Sequence, residues 1–290
     1  MLPTFSTTGP SGSTRSTASR PGWPRDGRQT ALWVVIAFLS VVILVFLAIG
    51  NNTNQSATDP SHWMETARQE FSQPADRGNI DAVYGADMRG YSGFTDTSGF
   101  GLYSPDQVLS VADGALDFFL HSESGRPRVA SVVPFGYTGQ VYGRYSLRFR
   151  YDKIPGYKVA VMLWPVSDRW SDGEIDWPEG ELNAPLYGAS AVVGSSTGGK
   201  MRFDPPHRTY APDGPGGWHV ATVEWTPGKV QWFWDDRLVG ETTDARGVPT
   251  ERMRLTIQTE TADRANENTP GPDVSGHLQV DWVVQYAYRP

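Results

Sequence analysis

The chain has 290 residues, 39% hydrophobic, 12% aromatic and 20% charged, which is enough apolar surface for a large core and too much for a disordered chain. A formal charge of −7 argues against the basic footprint of a nucleic-acid binder, so no nucleic-acid partner is expected. Cysteine is absent, which excludes disulfides, thiol nucleophiles and thiolate metal sites together.

Residues 1–30 are rich in Ser, Thr, Gly and Pro and read as a disordered cytoplasmic tail. They carry Arg15, Arg20, Arg25 and Arg28 against Asp26 alone, a balance of +3 that leaves −10 for the remainder. Residues 31–49, ALWVVIAFLSVVILVFLAI, hold no charge and one polar side chain, Ser40. At a helical rise of ~1.5 Å per residue such a run spans roughly one hydrocarbon core, so a single transmembrane signal anchor is expected at 31–50. The arginines before it predict a cytoplasmic N-terminus and an extracytoplasmic body attached to the cell membrane. A cleaved signal peptide is the competing reading; its n-region would be unusually long, and no A-x-A site follows. Residues 51–63 read as a polar stalk.

From residue 64 to 290 the pattern is of short alternating segments broken by Gly, Pro and Asp. Helical patterning is confined to 61–71. The clearest strand is 142–151, where Tyr145, Leu147, Phe149 and Tyr151 alternate with Arg144, Ser146, Arg148 and Arg150. Residues 218–225 and 230–234, joined across Pro227-Gly228, predict a hairpin, and 277–286 a last strand. Many short strands with little helix and no repeat predict one all-β sandwich or barrel domain.

Residues 172–181, DGEIDWPEGE, concentrate the acids. Glu174 and Asp176 share one face of a strand. Pro178 cannot donate to a ladder, and a one-residue bulge at Trp177-Pro178 would return Glu179 to that face. Two carboxyls about 5–5.5 Å apart suit retaining glycoside hydrolysis, one attacking the anomeric carbon and the other protonating the leaving oxygen. Crowded like charges keep one acid protonated near neutral pH. On local pattern alone a solvated acidic strand or a calcium site remains open.

Glu174-Ile175-Asp176-Trp177-Pro178-Glu179 resembles the bulged E-[ILV]-D-x-x-E signature of glycoside hydrolase family 16, in its laminarinase-like form. Gly143-Arg144-Tyr145 to Arg150, Leu163-Trp164-Pro165, Trp170, the 218–227 strand and Val280-Asp281-Trp282-Val283 resemble family segments in the same order. The resemblance implies a concanavalin-like jelly-roll β-sandwich over 64–290. It also implies Glu174 as nucleophile, Asp176 as its assisting carboxylate and Glu179 as general acid/base. The departures from the family pattern are Met162, Trp177-Pro178 and Gln258-Thr259-Glu260, all expected at the cleft or its wall.

Sugar rings stack on aromatic faces, so Trp170, Trp177, Trp164 and Trp218 are candidate platforms. His219, Gln258 and Glu260 are candidate polar contacts, and Trp232 and Trp234 are assigned to packing. Gly194-Ser195-Ser196-Thr197-Gly198 matches G-x-S-x-G, but no helix can follow, and a loop is expected. The five histidines form no metal-binding spacing, so no metal site and no required cofactor are expected. The resembled family carries a structural calcium on its convex face, and Asp281 is the side chain this implies as ligand. The implied function is a retaining endo-β-1,3(4)-glucanase-like hydrolase acting on a polysaccharide as a monomer. A transglycosylase and a non-catalytic sugar-binding module on the same fold are the alternatives.

Overall fold

A computed structural model describes residues 60–192, 194–195, 201–202, 207–262 and 269–290. The expected tail at 1–30, the span at 31–50 and the stalk up to residue 59 lie outside these residues. No helix among the described residues is long and apolar enough to cross a membrane.

In chain order the strands are β1 (Trp63–Gln69), β2 (Leu102–Tyr103), β3 (Leu109–Ala112), β4 (Ala115–Glu123), β5 (Arg126–Val129), β6 (Ser131–Val132), β7 (Gly143–Tyr151), β8 (Tyr157–Pro165) and β9 (Glu174–Glu181). They continue as β10 (Tyr187–Ala191), β11 (Gly194–Ser195), β12 (Met201–Arg202), β13 (His207–Tyr210), β14 (His219–Thr226), β15 (Lys229–Trp234), β16 (Arg237–Thr242), β17 (Met253–Thr261) and β18 (Gly276–Tyr288). One sheet runs β16-β15-β14-β7-β18-β4-β5-β2, with β1 added to β18 and β3 to β4. The second runs β13-β10-β9-β8-β17-β6. Their facing sides make one core, in which Tyr145, Leu147, Phe149 and Tyr151 of β7 meet Val159, Val161 and Leu163 of β8. The alternation read in 142–151 is therefore the alternation of buried and outward side chains.

The predicted hairpin forms as β14 and β15, with Thr226 opposite Lys229 across Pro227-Gly228. Gly228 takes a φ of 76°, the left-handed conformation that a tight turn asks of glycine. Trp232 and Trp234, at 0% and 1% exposure, pack in the core as expected.

The helix expected around 61–71 is instead a 3-10 turn (Pro60–His62) followed by β1. The cause is non-local. β18 is long enough to pair with β4 over its first half, which leaves an open edge beyond Val280. β1 occupies that edge from Trp63 opposite Tyr288 to Gln69 opposite Val283. A row of ladder hydrogen bonds outweighs a short helical pattern. The G-x-S-x-G stretch opens in β11, which pairs with β12; its last three residues lie outside the described ones.

Candidate active site

The site is built on β9, at the middle of the six-stranded sheet. Ile175 and Trp177 point into the core while Glu174 and Asp176 face the other way, as strand alternation requires. The bulge predicted from Pro178 is visible in the register with both neighbours. Across β8, Met162 faces Asp176 and Ala160 faces Glu179, so one residue, Val161, spans Trp177 and Pro178. Across β10, Ala189 faces Asp176 and Tyr187 faces Glu179, with the same shift. The extra residue returns Glu179 to the face of Glu174 and Asp176. Gly188, opposite the bulge, admits no side chain: a Cβ there would lie 2.8 Å from Trp177 Cε3 and 2.9 Å from Trp232 Cδ1.

Glu174 and Glu179 line a cleft of about 400 Å³. Its floor comes from alternate residues of β8, namely Lys158, Ala160, Met162 and Trp164, and from Gln258 and Glu260 of β17. Its wall comes from the 91–103 segment through Tyr91, Phe94, Thr95, Thr97 and Tyr103. Asp96, 4% exposed, organises this wall. Its Oδ1 accepts the backbone N–H groups of Gly99, Phe100 and Gly101 at 2.9–3.1 Å, and its Oδ2 accepts Thr261 N and Oγ1 at 2.7 Å.

Trp170 donates its Nε1–H to Glu174 Oε2 at 2.8 Å. Trp164 Nε1 donates to Asp168 at 3.1 Å, and the buried Arg254 guanidinium reaches the same carboxylate oxygen at 2.6 Å. Asp168 thus ties the loop carrying Trp170 to β8 and β17. Asp176 lies beneath, 2% exposed, and its Oδ1 has no hydrogen-bond partner.

Electrostatics follow from crowding three acids in a partly dry groove. Burial pushes Glu174 up to about 7, opposed by the Trp170 and Asp176 hydrogen bonds and reinforced by the Glu179 charge. Asp176 is raised well above the usual carboxylate range, first by burial and then by Glu174 and Glu179. A protonated Asp176 donating to Glu174 is the arrangement these influences favour. Burial also raises Glu179, against the Lys158 ammonium and a Tyr187 hydrogen bond. The trio therefore retains protons at a pH where isolated carboxyls have lost them, which is what acid catalysis of a glycosidic bond asks for.

The remaining expected contacts divide by position. Trp170, Trp164, Gln258 and Glu260 line the cleft. Trp177 does not: at 2% exposure it faces the core, donates Nε1–H to Phe233 O at 3.0 Å and packs edge-on to Trp234. The bulge spares the carboxylate face but leaves Trp177 on the odd, inward set. Trp218 stands at the other sheet, stacked under Arg148 and Arg150 on the outward side of β7. His219 stacks on Trp234 with Nδ1 2.8 Å from Asp235 Oδ2, also away from the cleft. Its ring lies near Asp213 and Asp235, a group of metal-ligating type that no sequence spacing announces. Asp235 also accepts Val220 N–H and Asp213 accepts Trp234 Nε1–H. Asp281, implied as a calcium ligand, is ion-paired with Arg148 of the neighbouring β7.

Lys158, Thr97, Tyr103, Tyr187 and the Tyr91–Phe94 pair are site residues that sequence reasoning missed. Lys158 was within reach, since counting back by twos from Trp164 through Met162 and Ala160 arrives at it. The wall residues had no such signal, because no period runs through the 91–101 loop.

A family model described as glycosyl hydrolases family 16 matches residues 101–284. A β-glucanase of Rhodothermus marinus is 30% identical over 127 residues, 38% of this chain and 40% of that protein. This chain thus spans about two fifths of the curated relative it matches. Among solved structures, the laminarinase of Rhodothermus marinus superposes with a TM-score of 0.58 at 21% identity, over 79% of this chain and 99% of that one. LamAcat of Zobellia galactanivorans superposes with a TM-score of 0.60 at 15% identity, over 78% and 98%.

Proposed function

The chain belongs to glycosyl hydrolases family 16, and from that premise we propose that it is a retaining endo-β-glucanase of the β-1,3(4) type. The observation that carries the reading is the bulged β9, which sets Glu174, Asp176 and Glu179 on one face inside an aromatic-walled cleft. Glu174, ionised and held by Trp170, attacks the anomeric carbon. The Glu179 carboxyl gives its proton to the departing glycosidic oxygen, and the C–O bond breaks. Glu179, now ionised, takes a proton from water, whose oxygen displaces Glu174 from the sugar. The proton count returns to its start with net retention at the anomeric carbon. Asp176 keeps its own proton on the Glu174 side and orients the nucleophile. The β-glucanase and laminarinase relatives support β-glucan as substrate. The uncharged run at 31–49, preceded by four arginines, supports a membrane-anchored enzyme acting outside the cytoplasm.

The test is incubation of the full chain, beside Glu174→Gln and Glu179→Ala, with β-1,3-, mixed β-1,3/1,4- and β-1,4-glucans and galactans, products being sized. Shorter products from wild type alone are expected, and azide added to Glu179→Ala with an aryl β-glucoside, whose phenolate leaves without protonation, should yield a β-glycosyl azide. Products longer than the substrate would replace hydrolysis by transglycosylation. Binding without turnover, equal in all three proteins, would overturn the enzyme reading.

A further inference from the structure

Lys158 is out of character for the floor of a sugar cleft. Its neighbours along the cleft face of β8 are Ala160, Met162 and Trp164, yet it places an ammonium among the acids. Nζ lies 2.8 Å from Glu260 Oε2 and 3.9 Å from Glu179 Oε1. Glu260 is 1% exposed and cannot follow the lysine, because Thr97 N, Thr97 Oγ1 and Tyr103 OH donate to its other oxygen at 3.2, 2.5 and 2.8 Å. One cation therefore serves two carboxyls, bonded to the immobile one and held just beyond bonding distance of the other.

We propose that Lys158, restrained by Glu260, is a positioning residue that sets the charge felt by the Glu179 carboxyl. The inference rests on the reading of Glu179 as general acid/base. That residue must release a proton in one half of the cycle and recover one in the other, so neither of its states can be held too firmly. An ammonium in direct contact would hold Glu179 ionised. With no ammonium, Glu179 would face Glu174 and Asp176 on its own strand and Glu260 on β17 without a counter-charge on β8. The other groups facing it are Tyr187 of β10, which hydrogen-bonds it, and Arg208 of β13, stacked over the Tyr187 ring at 4.2 Å. At 3.9 Å in a partly dry groove, the Lys158 ammonium is a formal cation in ion-pair contact with Glu179. Tethering to Glu260 gives an intermediate field: strong enough to stabilise the ionised acid after leaving-group departure, too weak to prevent its reprotonation. Burial disfavours the lysine charge, but Glu260 and Glu179 outweigh it and hold Lys158 above its ordinary value, so the ammonium persists throughout.

The test uses the full chain as wild type, Lys158→Met, Lys158→Arg and Glu260→Gln. Two quantities are followed: the alkaline limb of kcat/KM on the glucan hydrolysed, and the ¹³C NMR titration of the Glu179 side-chain carboxyl, assigned with Glu179→Gln. Lys158→Met should move both upward by about one pH unit, a tenfold gain in proton affinity. Glu260→Gln frees the ammonium toward Glu179 and should move both downward, and Lys158→Arg should bring the Met variant's shift back toward wild type. An unchanged Glu179 titration in both Lys158→Met and Glu260→Gln would overturn the proposal, whatever happens to rate or melting temperature. A rate loss equal at every pH, with that titration fixed, would reduce the pair to a structural role and overturn it too. Should wild type hydrolyse no glucan while the titration shifts as stated, the charge coupling stands and the enzymatic reading falls.

Discussion

Replacing Glu174 with glutamine should stabilise the protein, and by an amount that depends on pH. Glutamine keeps an acceptor for the Trp170 N–H bond but has no charge to desolvate. Glu174 ordinarily titrates at 4.5 and is pushed up to about 7 here, chiefly by burial. Below pH 4.5 the folded and unfolded chains both carry the proton, and the side chain contributes no pH-dependent penalty. Between 4.5 and about 7 the unfolded chain has released it while the folded chain retains it, so stability falls as pH rises. Above 7 the penalty is complete. At about 1.4 kcal/mol per pH unit, the gap amounts to about 3 kcal/mol, shared in practice with Asp176 and Glu179. Urea titrations of wild type and Glu174→Gln, followed by tryptophan fluorescence, should therefore differ by about 3 kcal/mol near pH 8 and converge near pH 4. A difference of the same size at both pH values, or a glutamine variant less stable near pH 8, would refute the account of a carboxylate buried at a cost.

Three further outcomes are expected. Trp170→Phe removes the hydrogen bond that favours ionised Glu174, so the acid limb of kcat/KM should move upward and activity fall about tenfold or more, read from a pH–rate profile. Trp177→Ala should cost about 3–5 kcal/mol by opening a core cavity, whereas Trp218→Ala, a surface stack on two arginines, should cost about 1 kcal/mol or less; denaturant midpoints separate them. Asp96→Ala leaves the N–H groups of Gly99, Phe100 and Gly101 without their acceptor, and it should destabilise by about 1–3 kcal/mol. The same variant should raise KM more than it lowers kcat, because the cleft wall loosens while the acids on β9 stay in place.

Local rules carried the reading far along single strands. The alternation of 142–151, the Pro-Gly hairpin and the bulge implied by Pro178 each follow from a period of two, or from a residue that cannot complete a ladder, and all three appear in the register of β7, β14–β15 and β9. What lay beyond those rules depended on which strands meet. Trp63–Gln69 became a strand because β18 outruns β4, a fact about residues more than two hundred positions away. Trp177 and Trp218 are both candidate sugar platforms in the sequence. Only the pairing of β9 with β8 and β10, and of β14 with β7, sends one ring inward and sets the other on the opposite sheet.

The catalytic candidates Glu174, Asp176 and Glu179 were determined by the sequence itself, since six consecutive residues hold all three and the strand period with one bulge orients them. Their environment was decided by tertiary structure alone. Glu260 approaches Lys158 because β17 lies antiparallel beside β8, and Thr97 and Tyr103 fasten it from the 91–103 segment some 160 positions earlier. Strand alternation is a property of adjacent backbone units and can be read along a chain. A charge balance inside a cleft is a sum over distances in space, and it exists only once the sheets have closed on each other.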